Sequence, residues 1–211
     1  MSRESRKTIE AYENGGAEGF ATFRCSMLQK NPKLAKKRDE LLKQSLETVG
    51  KNAKLFEIGS GTGDDAKYIR SLGYDITVSD VAKYHIDTLK RKGFEPLKFD
   101  AVEDEFPEKY DYILARAVLV HFPHAEVEQV VRKIYSALND DGIFNVSVKE
   151  KSGHKEEWLR DFGVDRYISY WTQDEIRAVL ESAGFTIALA DTEGGLRSRM
   201  LHFVARKEKK W

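Results

Sequence analysis

The residues best placed to do chemistry are an acidic side chain and three alternating glycines in Leu55-Phe56-Glu57-Ile58-Gly59-Ser60-Gly61-Thr62-Gly63-Asp64-Asp65. The apolar run Lys54 to Ile58 reads as a buried strand, and a helix opens at Asp64. Glycines at that junction let backbone approach a ligand, and a helix start presents unpaired N–H groups, so something with polar or anionic parts is expected to lie there. Asp80, followed by Val81, ends the next strand. A carboxylate beyond the carboxyl end of such a strand can accept hydrogen bonds from both hydroxyls of a ribose, or it can cap the helix that follows. His121, in Leu119-Val120-His121-Phe122-Pro123, is a candidate general base, because the ordinary pKa of imidazole suits proton transfer near neutrality. Its alternative is a histidine packed beneath a loop. Arg166 stands among Trp158, Phe162, Tyr167, Tyr170 and Trp171, and an arginine among aromatics can hold a carboxylate and stack an organic ring. Arg166, Tyr167 and Tyr170 are therefore the candidate substrate contacts, although the same aromatics could simply bury the segment on the core.

The elements that must position these residues alternate. A polar, largely helical stretch runs from Met1 to about Gly50, broken at Gly15-Gly16 and at Asn31-Pro32. Its second helix carries Leu34, Leu41, Leu42, Leu46 and Val49 near one face and is expected to pack on an edge or end of the sheet. Strands are expected at 54–58, 75–79, 96–99, 110–115 and 143–148, with helices at 64–72 and 82–92 and a third carrying Val127, Val130, Val131, Ile134, Tyr135 and Leu138. Thr172-Gln173-Asp174-Glu175 is a capping box, Gly184 stops its helix, and two last strands, 185–190 and 200–206, are joined through Gly194-Gly195. The segment 150–171 is longer than a plain connection and reads as a lid or substrate wall. The sum is an α/β chain with a mostly parallel sheet covered on both faces.

At 211 residues, with no internal linker, the chain is expected to form one domain: a helical cap (1–53), a ligand-binding half (54–149), the lid segment (150–171), and a C-terminal helix and hairpin (172–211). Lysine plus arginine equals aspartate plus glutamate at 35 each, so the protein has no general attraction for polyanions, and a nucleic-acid partner is not expected. The basic stretches Lys33 to Arg38 and Arg197 to Lys210 read as solvated surface. No apolar run approaches the roughly 18 residues that cross a bilayer, no signal segment follows Met1, and Cys25 is the single cysteine; together these imply a cytoplasmic protein without membrane association.

From Leu55 to Lys207 the chain resembles the class I S-adenosylmethionine-dependent methyltransferases, whose first motif is an acidic residue, any residue, then G-x-G-x-G. The dinucleotide fingerprint G-x-G-x-x-G would need glycine where Asp64 stands, which disfavours a nicotinamide-dependent oxidoreductase. The resemblance implies a Rossmann-like doubly wound sheet of seven strands with an antiparallel final strand. It implies that Glu57, Gly59, Gly61, Gly63, Asp80, Val81, Asp100, Ala101 and Arg116 hold S-adenosylmethionine, which leaves as S-adenosylhomocysteine. Asp100 and Ala101 would lie near the adenine, and Glu57 would face the methionine amino group. Tyr12, Asn14, Ala17 and Phe20 loosely resemble a segment that covers the cofactor in many small-molecule methyltransferases, although the glycine at 15 or 16 departs from the usual spacing.

Departures narrow the choice. Arg116-Ala117 stands where magnesium-dependent catechol-type relatives carry acidic ligands, and the nucleobase and protein-arginine motifs are absent. His121 and His124 are separated by Pro123 with no third ligand nearby, so no metal is expected. The activity implied is transfer of a methyl group to a small-molecule acceptor by direct displacement. The alternatives are a binding or regulatory protein that keeps the fold without turnover, and a peptide or protein acceptor.

Overall fold

The structure, a computed structural model, describes residues 1–151, 156–193 and 199–209. Ser2 caps α1 (Arg3–Ala11), its hydroxyl accepting from the Ser5 N–H at 3.1 Å. The chain kinks across Tyr12–Gly16, where Gly15 sits at φ 104°, before α2 (Ala17–Lys30). Gly16 is demanded by close approach, since a Cβ there would lie 2.8 Å from the Ala11 carbonyl oxygen and from Val164 Cγ2. Pro32 occupies the first turn of α3 (Pro32–Leu46), where its missing N–H has no partner to lose.

Strands β1 (Leu55–Glu57), β2 (Ile76–Asp80), β3 (Leu97–Lys98), β4 (Tyr110–Arg116) and β5 (Leu138–Glu150) run parallel in the order β3-β2-β1-β4-β5. Their crossovers carry α4 (Asp64–Ser71), α5 (Lys83–Arg91) and α6 (His124–Ala137). After β6 (Glu156–Asp161), β7 (Val164–Trp171) and α7 (Gln173–Ser182), the chain ends in β8 (Phe185–Glu193) and β9 (Arg199–Lys207). β9 runs antiparallel to both β5 and β8 and so lies between them, giving β3-β2-β1-β4-β5-β9-β8 as the seven-stranded core. The final strand is antiparallel, as expected. Gly194-Gly195, Arg197 and Lys210 lie outside the described residues.

The segment 150–171 contains the two strands that the sequence pattern did not reveal. β6 and β7 form a hairpin whose two-residue turn, Phe162-Gly163, has φ of 54° and 79°. Two positive φ values match the twist of the flanking strands, as hairpin turns require. β7 joins the sheet where β4 stops: β4 pairs β5 as far as Arg116 with Ser147, and β7 then pairs β5 at Lys149 with Tyr170 and at Glu150 with Trp171.

Alternate strand residues feed two cores. Phe56, Ile113, Phe144 and Val146 pack on one face with α6 and α7 residues such as Val130, Ile134 and Leu180. Leu55, Tyr112, Leu114 and Ile143 pack on the other with Leu42, Leu46, Ile69 and Leu89. α3 thus lies across a sheet face rather than at the expected edge, because its polar Ser45 finds partners in mid-sheet. Ser45 Oγ donates to the Leu42 carbonyl at 2.8 Å, so it accepts from the Tyr112 hydroxyl at 2.7 Å and from Asn145 Nδ2 at 2.8 Å. Asn145 Nδ2 also donates to Tyr112 at 2.9 Å, closing a triangle between α3, β4 and β5.

Tyr112→Phe leaves an Asn145 N–H and a Ser45 lone pair without a partner in a buried site, at a cost of about 1–3 kcal/mol. The urea unfolding midpoint of that variant should fall accordingly; an unchanged midpoint would show that the triangle does not hold α3 to the sheet.

Candidate active site

Three glycines leave the carboxyl end of β1, each at positive φ: 63° at Gly59, 55° at Gly61 and 75° at Gly63. At Gly59 close approach adds a second demand, since a Cβ would lie 2.6 Å from Val118 Cγ2. The loop is pinned from β2. The Gly61 N–H donates to Asp80 Oδ2 at 2.9 Å, while Asp80 Oδ1 accepts from the Ala82 N–H at 2.9 Å. Asp80 therefore ties the glycine loop to the turn that leads into α5, without giving that helix a side-chain cap.

A cavity enclosing about 960 Å³, part of it open to solvent, lies above these strand ends. It is bordered by Glu57, Gly59, Gly61, Asp80, Val81, Asp100, Ala101, Arg116, Tyr12 and His121. Gly63 is the expected contact that is missing from this wall. It caps α4, and a Cβ on it would meet Leu89 Cδ2 at 2.8 Å, so its place is to let α4 close on α5. Asp100 also folds its own turn, Oδ1 accepting from the Val102 N–H at 2.9 Å.

Among the residues of this wall that escaped the sequence reading are two with chemistry to offer a ligand, Arg24 and His85. His85 Nδ1 lies 3.2 Å from Asp80 Oδ2 and donates to it. Nε2 is buried with no hydrogen-bond partner among the described residues, as is Glu57 Oε2. Both are unmet polar atoms on the cavity wall. Burial, with the Asp65 charge adding to it, pushes the Glu57 carboxyl up to about 8.

Beneath the loop, Asp65 in the first turn of α4 is ringed by three guanidinium groups. Arg38 Nη2 lies 3.0 Å, Arg116 Nη1 3.1 Å and Arg24 Nη2 3.2 Å from its carboxylate, and these charges hold its pKa well below the usual range against the cost of burial. Arg116 Nη2 also donates to the Arg38 carbonyl at 3.1 Å, and Arg116 Nε is buried without a partner among the described residues.

A second cavity, enclosing about 1000 Å³, adjoins the first, and Phe20, Arg24, Arg116, Ala117 and His121 border both. Of the expected substrate contacts, only Arg166 lines it. Tyr167 turns its ring to Trp158, with centroids 5.6 Å apart, and Lys151 lies 4.8 Å from the ring centroid of Tyr170. The contributions of these tyrosines near the site come from backbone. The Tyr167 N–H donates to Thr8 Oγ1 at 3.0 Å, and its carbonyl lies 3.1 Å from His121 Nδ1. The Tyr170 carbonyl is met by His124 Nε2 at 3.0 Å, and the His124 ring stacks on Trp171 at 3.8 Å. These side chains satisfy main-chain groups of β7.

The carbonyl fixes the His121 tautomer. Nδ1 donates, so Nε2 accepts from the Tyr12 hydroxyl at 3.0 Å, and Tyr12 in turn accepts from Arg166 Nη1 at 2.6 Å. Burial, reinforced by the Arg166 charge, pushes His121 down to about 3. Both ring nitrogens of His121, the candidate base, are engaged in this structure, and the imidazole holds Tyr12 at the cavity wall.

Residues 29–190, well over half of the chain, match a family described as a methyltransferase domain. The chain belongs to that family. The methyltransferase is similar in fold to magnesium protoporphyrin IX methyltransferase from Synechocystis PCC 6803, solved with bound S-adenosylmethionine, at a TM-score of 0.78 and 14% identity over 99% of each chain. It is also similar to 1,6-didemethyltoxoflavin-N1-methyltransferase from Burkholderia thailandensis, solved with its namesake compound and S-adenosylhomocysteine. There the TM-score is 0.67 and the identity 19%, over 94% of this methyltransferase and 91% of the other chain. A third similar structure is the [4+2]-cyclase SpnF, at a TM-score of 0.66 and 18% identity over 82% of this chain and 81% of that one. Among curated proteins, no sequence matches.

Glu57 supplies a test of the electrostatics. Its folded pKa of about 8 exceeds the ordinary 4.5, so folding favours the protonated form: the contribution to stability is complete below pH 4.5 and is lost as pH rises through 8. Glu57→Gln cannot lose that proton. Its melting temperature relative to wild type should therefore climb between pH 5 and pH 8.5, and a constant difference across the range would disprove the shift.

Proposed function

We propose that the protein transfers a methyl group from S-adenosylmethionine, held in the first cavity, to a small-molecule acceptor held in the second. The observation that carries this reading is the wall the two cavities share, formed by Phe20, Arg24, Arg116, Ala117 and His121. Displacement of a methyl group needs donor and acceptor side by side, and alignment contributes most of what the protein must supply. When bound, S-adenosylmethionine supplies an electrophilic methyl group on a sulfonium centre.

The residues of the first cavity fit such a cofactor. Glu57 Oε2 lacks a donor in a buried site, and the ammonium of the methionine part would provide one. Asp80 and the unpartnered Nε2 of His85 stand together where ribose hydroxyls, which can both donate and accept, would find them. Asp100 and Ala101 would border the adenine. Tyr12, held between Arg166 and His121, would cover the cofactor and limit the entry of water. No proton transfer by His121 is needed in this reading: an acceptor atom already ionised would take the methyl group as the C–S bond breaks and release no proton, and a neutral acceptor would pass its proton to water.

Two of the neighbouring folds carry names of small-molecule methyltransferases, which supports an acceptor of that kind. Among the described residues no helix is long and apolar enough to cross a membrane, and the exposed Cys25 has no cysteine to pair with, which supports the proposal of a cytoplasmic protein.

Calorimetric titration of S-adenosylmethionine and S-adenosylhomocysteine, with NADH as control, tests the cofactor. Both sulfur nucleotides should bind, and Asp80→Ala should weaken both by at least about tenfold through loss of charge-assisted hydrogen bonds, with thermal unfolding confirming that the variant is folded. Preference for NADH would overturn the assignment. A second outcome concerns His121: kcat/KM should show no limb between pH 6 and pH 8 that disappears in His121→Asn, since the imidazole titrates near 3. A limb lost in that variant would restore His121 as the base.

A further inference from the structure

The second cavity is lopsided in charge. Arg24, Arg38, Arg116, Lys149 and Arg166 border it, against the single carboxylate of Asp161. Arg24, Arg38 and Arg116 converge on the carboxylate of Asp65 from different elements, and Arg24 also reaches Asp64, at 3.0 Å; neither aspartate borders this cavity, whereas all three arginines do. Arg116 is 8% exposed, and its Nε–H is a buried donor without a partner among the described residues. Such donors are costly unless a ligand meets them. Arg166 is 4% exposed and gives Nε and Nη2 to Asp161, leaving Nη1 for the hydroxyl of Tyr12.

The rest of the wall is aromatic. Phe162 meets Phe20 at a centroid distance of 5.8 Å and Phe23 at 5.3 Å, and the Arg166 guanidinium lies 4.5 Å from the Phe162 ring centroid. Phe162 holds its position at φ 54°, where an L side chain is strained and glycine or asparagine would sit more easily. Ala117, at φ 53°, borders the same cavity. Strain of this kind persists where the surroundings require it and concentrates at ligand clamps. A large ring in place of a turn residue, facing a cationic cavity, is a device for a ligand with a flat face and a negative charge.

We propose that the acceptor is a planar, ring-bearing organic anion, its acidic group directed to the cations around Arg166 and Lys149 and its ring laid against Phe162 and Phe20. The inference rests on the reading of the second cavity as the acceptor site. Guanidinium groups suit carboxylates and phosphates alike, and the same set repels ammonium-bearing acceptors, so the charge both selects and excludes.

The test is direct binding in the presence of saturating S-adenosylhomocysteine, with matched probes: 2-hydroxybenzoate against 2-hydroxybenzamide, phenyl phosphate against phenol, and benzylamine as the cationic control. At least one anion should bind about tenfold or more tightly than its neutral partner, with benzylamine weakest. The pair that shows the preference distinguishes a carboxylate from a phosphate. In Lys149→Gln, a part-exposed residue that does not border the first cavity, the preference should shrink to within about threefold while S-adenosylhomocysteine still binds. If S-adenosylhomocysteine binds but acids and amides are indistinguishable, or benzylamine is preferred, this inference is overturned and the cofactor assignment stands. If S-adenosylhomocysteine does not bind, the assignment falls and takes the inference with it.

Discussion

The carboxylate of Asp65, 5% exposed and ringed by arginines from α2, α3 and the end of β4, is the interaction on which the remaining architecture of the site depends. Asp65 is fixed by the glycine turn that starts α4, so the charge cluster ties the N-terminal helices to the loop that borders the first cavity. Burying one carboxylate among three guanidiniums would be prohibitive for any of them alone, because removing one partner leaves uncompensated charge in a low-dielectric site. Two of the cluster's arginines, Arg24 and Arg116, also stand between the cavities. The same interaction therefore holds the helices down and sets the electrostatics of the partition.

The histidines show how environment outranks residue type. His121 has the ordinary pKa of a neutral-pH base, and the fold removes that property by burying the ring, placing Arg166 nearby, and spending one nitrogen on the Tyr167 carbonyl and the other on Tyr12. His85 gave no signal in the sequence, being one polar residue on an amphipathic helix. In the fold it stands against Asp80 with its Nε2 buried and without a partner among the described residues.

What could be read from the sequence follows the range of the interactions concerned. The glycine loop, Asp80 and the capping box of α7 are short-range patterns whose physics is complete within about twenty residues, and each sits where the pattern put it. The β6–β7 hairpin was hidden for two reasons. β6 is mostly charged, and β7 is buried along nearly its whole length, so neither shows clean alternation, while a phenylalanine stands at a turn position that usually announces itself with glycine or asparagine. The Asp65 cluster was hidden because its members are dozens of residues apart, and no local rule brings Arg24, Arg38 and Arg116 to one carboxylate. Gly63 was legible as a glycine required by its conformation but not as one that faces α5 instead of a ligand.

The kinked N-terminal segment has a consequence for the order in which the molecule assembles. Thr8 is held by a backbone group 159 residues later, and Tyr12 by a side chain 154 residues later. The N-terminal segment thus cannot complete its contacts until β7 exists, although Ser5, Tyr12 and Glu13 also meet Glu126, His121 and Lys83, whereas the parallel strands β1 to β5 need nothing beyond Glu150 to pair. Loop closure over such a span is slow and comes late. The parallel sheet and its glycine loop can be complete while the cap still lacks its bonds to β7, so the covering of the site depends on the most distant contacts in the chain.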